Sequence, residues 1–205
     1  MLSARWLGRA AYREVLAMQL AARERVWGGD DGVVLLCEHE PTITLGRSAK
    51  RENILASDDD LARAGVAVEQ IERGGDVTYH GPGQLMIYPI VKLRAGVVEF
   101  LERVASAIGD ACREVGVRGA AWQRDPAGVW IAGAKIAACG IHVARGVSVH
   151  GFALDVATPA DAWARIRPCG LAVPQTSVCA QRGREIEVEA LAAIVGPLVV
   201  TALAR

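Results

Sequence analysis

The chain has 205 residues, its 23 Lys and Arg balance 23 Asp and Glu, and 52% of it is hydrophobic. A nucleic-acid binder needs surplus cations to displace counterions, and a disordered chain needs low hydropathy or high net charge, so both classes are excluded. The length suits one ordinary domain, and residues 1–205 read as a single unit without linker, repeat or low-complexity tract. Five cysteines stand singly at Cys37, Cys112, Cys139, Cys169 and Cys179, with no CxxC pair. That usage fits a reduced, cytoplasmic setting better than a disulfide scaffold. Charges at Arg5, Arg9, Arg13 and Glu14 interrupt the N-terminus before an apolar signal region can form, so no targeting segment is expected.

In chain order, Arg9–Trp27 carries a helical apolar stripe stopped by Gly28-Gly29. The period then changes, and Val33–Cys37 and Thr42–Leu45 read as short strands. Ser57 before three aspartates is an N-cap with negative charge in the first turn, giving a short helix to Ala64. Val66–Ile71 and Leu85–Val91 are strands, and Val97–Val115 is a helix with apolar residues at 3.6 spacing. Two Gly-punctuated strand runs follow, Val129–Val143 and Val147–Val156. Thr158-Pro159 opens a short helix over Ala160–Ile166, with the proline at its first position. Glu185–Val188 reads as a last strand. Ala190–Leu203 reads as a buried final helix, broken by Gly196-Pro197 and too short to span a bilayer. The sum is an α+β or α/β domain with a mixed sheet and packed helices.

Three segments exceed what a fold alone asks for. The first, Arg73–Gln84, interleaves four glycines and a proline with Arg, Thr, Tyr, His and Gln, and reads as a loop whose backbone can approach a ligand closely. It is neither a P-loop nor GxGxxG. The second is Lys135, the only charged side chain between Asp125 and Arg145. A lone Lys in an apolar strand must snorkel, lie at a sheet edge, or hold a catalytic position. The third is Pro168-Cys169-Gly170, a thiol presented on a sharp turn, whereas Cys37, Cys112 and Cys139 fall in regular elements and read as packing. Cys139 and His142 are spaced C-x-x-H, which on a strand points them to opposite faces, so no metal site is expected.

Together RGGDVTYHGPGQLMIYP, GAKIAACGI, HGFALDV (His150–Val156) and RPCGL resemble the octanoyltransferase family of lipoate biosynthesis, also called the lipoate–protein ligase B family. The resemblance runs from Arg73 to Ser177 and implies a fold like the catalytic domain of biotin and lipoate ligases. It implies an acyltransferase that moves an octanoyl group from octanoyl-acyl carrier protein to a lysine of lipoyl domains. The acceptors would be 2-oxoacid dehydrogenases and the glycine cleavage H protein, with neither ATP nor metal as cofactor, and no nucleic-acid or membrane partner. Cys169 matches the acyl-thioester nucleophile and Lys135 the residue that lowers its pKa. Arg73, Gly74, Gly75, Asp76, Val77, Thr78, Tyr79 and His80 match the acyl pocket. So do Ala138, Cys139 and Gly140, together with Gly151, Phe152 and Ala153. His142 stands where Arg is frequent, and Asp155 where Asn is usual.

The residues themselves leave His80 and His150 as competing bases, since Cys–His is the commoner pairing; the resemblance favours Lys135. An ATP-dependent ligase of related fold and a non-catalytic acyl-binding protein are the alternatives. An acidic carrier also calls for a local basic patch, for which Arg47, Lys50 and Arg51 beside Arg73 are the candidates.

Overall fold

The computed structural model describes residues 1–167 and 173–204. It opens on a strand the sequence did not announce, β1 (Ser3–Ala10), ahead of helix α1 (Tyr12–Trp27). β1 is an edge strand, parallel to β2 (Val33–His39) and otherwise unpaired. Its residues are exposed or half-buried, so it lacks the apolar alternation that marks a strand. The expected helix therefore begins three residues later than Arg9.

After β2 come β3 (Thr42–Leu45), α2 (Asp58–Arg63), β4 (Ala67–Gln70), β5 (Val77–His80) and β6 (Gln84–Ile90). As its sequence predicts, α2 is capped by Ser57, whose Oγ accepts from the Asp60 N–H at 3.1 Å. The Arg73–Gln84 segment is not all loop, because β5 pairs antiparallel with β3. Helix α3 (Val97–Glu114) follows, then β7 (Ala121–Arg124), β8 (Ala127–Ile131), β9 (Ala134–Ala144) and β10 (Val147–Asp155). The single run expected over Val129–Val143 is thus two strands, turned at Ala132 and Gly133 with φ of 49° and 80°. Alanine rarely adopts positive φ, which hid this turn.

Two short helices and a long one finish the described chain: α4 (Ala160–Trp163), α5 (Val178–Arg182) and α6 (Val188–Ala204). α4 is shorter than expected and Pro159 precedes it; Ile166 instead bridges to Ile54. Glu185–Val188 is no strand but the approach to α6, which runs through Gly196-Pro197 unbroken. Among the described residues no helix is long and apolar enough to cross a membrane.

The main sheet has seven strands in the order β1-β2-β6-β10-β9-β8-β7, and a smaller sheet has β4-β3-β5. Helices α3 and α6 cover one face of the main sheet, where Phe100, Val104, Ile108, Leu191 and Val195 pack on Ile87, Phe152 and Leu154. Fully burying such a side chain contributes roughly 1.5–3 kcal/mol. Helix α1 covers the other face through Val15, Ala22 and Val26. The small sheet packs Ile43, Val77 and Tyr79 against Leu61, Ala162 and Ile166. This is the mixed α/β fold expected, with the two sheets meeting at the segment between β5 and β6.

Candidate active site

Arg73 anchors the Gly-rich turn. It is buried, and its guanidinium donates to the Thr44 hydroxyl from Nε at 3.2 Å and Nη2 at 2.9 Å. Further donations reach the carbonyls of Thr44 and Gly74, both at 2.9 Å. The Gly74 N–H donates to the Ile141 carbonyl at 3.2 Å, so the turn lies over β9. A side chain at Gly140 would meet the Gly74 carbonyl at 3.1 Å and Arg73 Cδ at 3.3 Å. Asp76 braces the turn from behind, accepting from the Lys50 N–H at 3.1 Å and the Asn53 amide at 2.5 Å.

β5 alternates as a strand must. Val77 and Tyr79 point into the small core, where Tyr79 meets the Trp163 ring edge-on at 6.2 Å. Thr78 is half-buried, and His80 is buried in a polar chain. His80 Nε2 faces the Thr44 hydroxyl at 3.3 Å, and Nδ1 faces the Gln84 Oε1 at 2.9 Å. Gln84 Nε2 donates to Asp155 Oδ1 at 3.0 Å, and Thr158 Oγ1 donates to the same oxygen at 2.7 Å. Burial pushes His80 well below the usual imidazole range, with His39 adding to the effect. With both ring nitrogens engaged and the ring stacked on Tyr12 at 5.8 Å, His80 is built into the wall rather than free as a base. Burial likewise pushes the Asp155 carboxyl up to about 7.

His150, the other competing base, is buried with φ of 63°, and its N–H donates to Gln19 Oε1 at 2.8 Å. Burial brings it down to about 4, so it stays neutral near pH 7. The β9–β10 pairing sets Gly140 opposite Gly151, Cys139 opposite Phe152 and Ala138 opposite Ala153. The Phe152 side chain belongs to the core, 6.3 Å from the Trp122 ring. Cys139 is half-buried and packs at the rim of that core, as its strand position predicts.

Lys135 is neither at an edge nor snorkelling. It is buried near the start of β9, paired to Trp130 of β8. Its Nζ donates to the Ala127 carbonyl at 3.2 Å and lies 5.0 Å from the Trp130 ring centroid. Gly128, which the sequence reading passed over, leaves room for the stem, since a Cβ there would stand 3.2 Å from Lys135 Cε. Among the described residues no carboxylate pairs with this amine, whose contacts are the Ala127 carbonyl and the Trp130 ring face. The Lys135 N–H donates to the Pro174 carbonyl at 2.9 Å, and its own carbonyl accepts from Thr176 N–H at 3.0 Å. On the other side, the Arg167 N–H donates to the Asn53 carbonyl at 2.7 Å. Cys169 lies outside the described residues. The described neighbours of that segment wall a cleft of about 580 Å³ that includes Asp155, Thr158, Arg167, Val173, Gln175 and Thr176.

The structure thus joins Arg73–Gly75 to Gly140, and His80 to Asp155, while Lys135 sits five residues along β9 from Gly140. The basic patch is weaker than expected. Arg73 is buried, Lys50 faces Glu52 at 3.9 Å and Arg51 pairs with Asp58, leaving Arg47 exposed. Thr44 was read only as part of a strand, Gln84 only as the end of the Gly-rich segment and Thr158 only as a helix opener. Only the i, i+4 spacing of His80 and Gln84 across a Gly-Pro-Gly turn could have signalled them.

Comparison with known proteins is consistent with this arrangement. Residues 11–196 match the family model described as lipoyl protein ligase A/B catalytic domain. A Solibacter usitatus protein named octanoyltransferase is 45% identical over 183 residues, covering 86% of this chain and 81% of its own. An Acidobacterium capsulatum protein of the same name is 42% identical over 184 residues, covering 80% of this chain and 74% of its own. Among solved structures, P. falciparum LipL1 in complex with lipoate superposes with a TM-score of 0.78 at 11% identity, over 98% of this chain and 62% of that one.

Proposed function

The chain belongs to the lipoyl protein ligase A/B catalytic-domain family, and on that premise we propose that it is an octanoyltransferase. The group moves from octanoyl-acyl carrier protein to the ε-amine of a lysine on a lipoyl domain, through an acyl-thioester on Cys169. The observation that carries this reading is the 45% identity to an octanoyltransferase over 86% of the chain. The setting of Lys135 supports it, because a buried ammonium without a carboxylate is suited to stabilise a nearby thiolate. The Lys135 N–H also donates to the carbonyl of Pro174, which stands five residues beyond Cys169 in the sequence.

In the first half-reaction the Cys169 thiolate attacks the donor carbonyl. The tetrahedral adduct expels the phosphopantetheine thiolate, which takes a proton from the Lys135 ammonium. In the second, neutral Lys135 accepts the proton of the attacking lysine amine as the C–N bond forms. The C–S bond breaks and Cys169 leaves as thiolate, which restores the starting state. Exchange of thiol for thioester is nearly isoenergetic and thioester to amide runs downhill, so the cycle needs neither ATP nor metal. The oxyanion is held by backbone N–H groups of the Gly-rich segments.

The test mixes the protein with octanoyl-acyl carrier protein and reads it by mass spectrometry. One octanoyl group on Cys169 is expected, with none in Cys169→Ser. Lys135→Ala should lower transfer to a lipoyl domain by ~10²–10⁴-fold, the range lost with a general acid–base. Modification of a lipoyl domain only with ATP and free octanoate would overturn the reading in favour of a ligase.

A further inference from the structure

We propose that Asp155 is a positioning residue: it terminates, through Gln84 and His80, a buried hydrogen-bond chain whose direction Arg73 fixes, and so helps hold the Gly-rich turn over β9. The kinetic consequence rests on the acyl-transfer reading; the structural one does not.

The chain's direction follows from donor accounting. A guanidinium can only donate, so Thr44 Oγ1 accepts from Arg73 Nε and Nη2. The threonine's own proton then goes to His80 Nε2 at 3.3 Å. A neutral imidazole that accepts at Nε2 carries its hydrogen on Nδ1, which donates to Gln84 Oε1 at 2.9 Å. The amide is thereby oriented with Nε2 toward Asp155 Oδ1 at 3.0 Å. Each link fixes the next, from an obligate donor at one end to a carboxyl oxygen at the other. Arg73, Thr44, His80, Gln84 and Asp155 are all buried, so each lost partner is costly. The Arg73 end is also the end that grips the turn, through Nη1 to the Gly74 carbonyl at 2.9 Å.

Without the Asp155 oxygen the Gln84 Nε2 loses the acceptor that holds the amide from its far end, and only the His80 Nδ1–H is left to orient it. Turned over, it would present N–H to N–H at His80 Nδ1, a conflict the chain cannot relieve by reversing because Arg73 only donates. The groups facing Asp155 are Gln84 from β6 and Thr158 beyond β10. Arg167 lines the same cleft, and His80 is one link away. Burial places the Asp155 carboxyl at about 7, so the charge on the terminal acceptor changes within the neutral range.

The test is ¹⁵N-imidazole NMR of the full chain, in which His80 is one of 4 histidines. His80 should show the Nδ1–H tautomer, and its shifts should follow a midpoint near 7 without becoming imidazolium. Asp155→Asn, an isostere that keeps an acceptor but does not titrate, should flatten that dependence. In transfer assays Asp155→Ala should raise KM for the octanoyl donor about tenfold while changing kcat less, as expected when about 1.4 kcal/mol of ground-state positioning is lost. An Nε2–H tautomer in the wild type, or the same titration in Asp155→Asn, overturns the proposal. If the tautomer and titration are found but no acyl transfer occurs, the positioning role stands and the functional reading falls.

Discussion

Gly151→Ala offers a sharp test of how β10 sits against β6. An added Cβ would stand 2.0 Å from the Ile87 carbonyl oxygen, 2.9 Å from Pro89 Cδ and 3.1 Å from the Ile87 carbonyl carbon. Ordinary carbon contacts lie near 3.5 Å, so the strands must part by more than an ångström. Both strands are in the middle of the sheet and Phe152 pairs with Ile87 immediately beside the clash, so the movement cannot be confined to one residue. Overpacking of this kind costs roughly 1–3 kcal/mol, and weakening two adjacent ladder hydrogen bonds adds about 1 each. A total of roughly 4 kcal/mol in a chain of this size lowers Tm by ~8–16 °C. Gly146→Ala is the control, because Gly146 has φ of 78° in the β9–β10 turn and open space where a Cβ would go. Left-handed strain alone costs it ~1–2 kcal/mol, or ~2–8 °C. Both variants are compared with wild type by thermal unfolding followed by far-UV circular dichroism. A Gly151→Ala shift no larger than that of Gly146→Ala would refute the close approach of the two strands.

Ser148→Ala should cost ~1–3 kcal/mol in urea unfolding, because the buried hydroxyl donates to the Pro89 carbonyl at 2.6 Å and accepts from the Val91 N–H at 3.2 Å; no loss would remove its bridging role. Acid should destabilise the fold. His39 and His150, both near 4, and His80, held low, contribute stability present above pH 6.5 and lost as pH falls through their folded values. Asp155, raised to about 7, acts in the opposite sense, gaining as pH falls from 7 toward 4. Three histidines against one carboxyl leave a net loss of about 2.7 kcal/mol per pH unit near pH 5, steeper in Asp155→Asn; a flat urea midpoint from pH 7 to 5 would contradict this. Arg47→Glu should raise KM for the acyl carrier more than Lys50→Glu does, since Lys50 already faces Glu52 at 3.9 Å; equal effects would count against Arg47 as the docking cation.

What the sequence disclosed depended on whether the signal was local. Helix α3 was plain because Phe100, Val104, Ile108 and Ala111 repeat at helical spacing and all four are buried. β1 was invisible because an edge strand with little buried surface needs no alternation. Glu185–Val188 alternates like a strand, yet residue 188 opens α6, so tertiary packing overrode a weak local pattern. At the site, Lys135 stood out as a lone charge, and the structure gives that charge a carbonyl and a ring face in the sheet interior. The route from His80 to Asp155 was not legible, since it joins three strands and two sheets and only its His80–Gln84 link is local in sequence.

Gly140 and Gly151 face each other across β9 and β10, beneath the turn that Arg73 holds. This patch of floor is bare peptide, with no rotamers to freeze when something covers it. Long flexible side chains there would lose up to ~2 kcal/mol each on being immobilised, whereas a backbone already fixed in a sheet loses almost nothing. The Gly-rich turn that lies on this floor therefore gives up only its own freedom, of which its glycines have the most to lose.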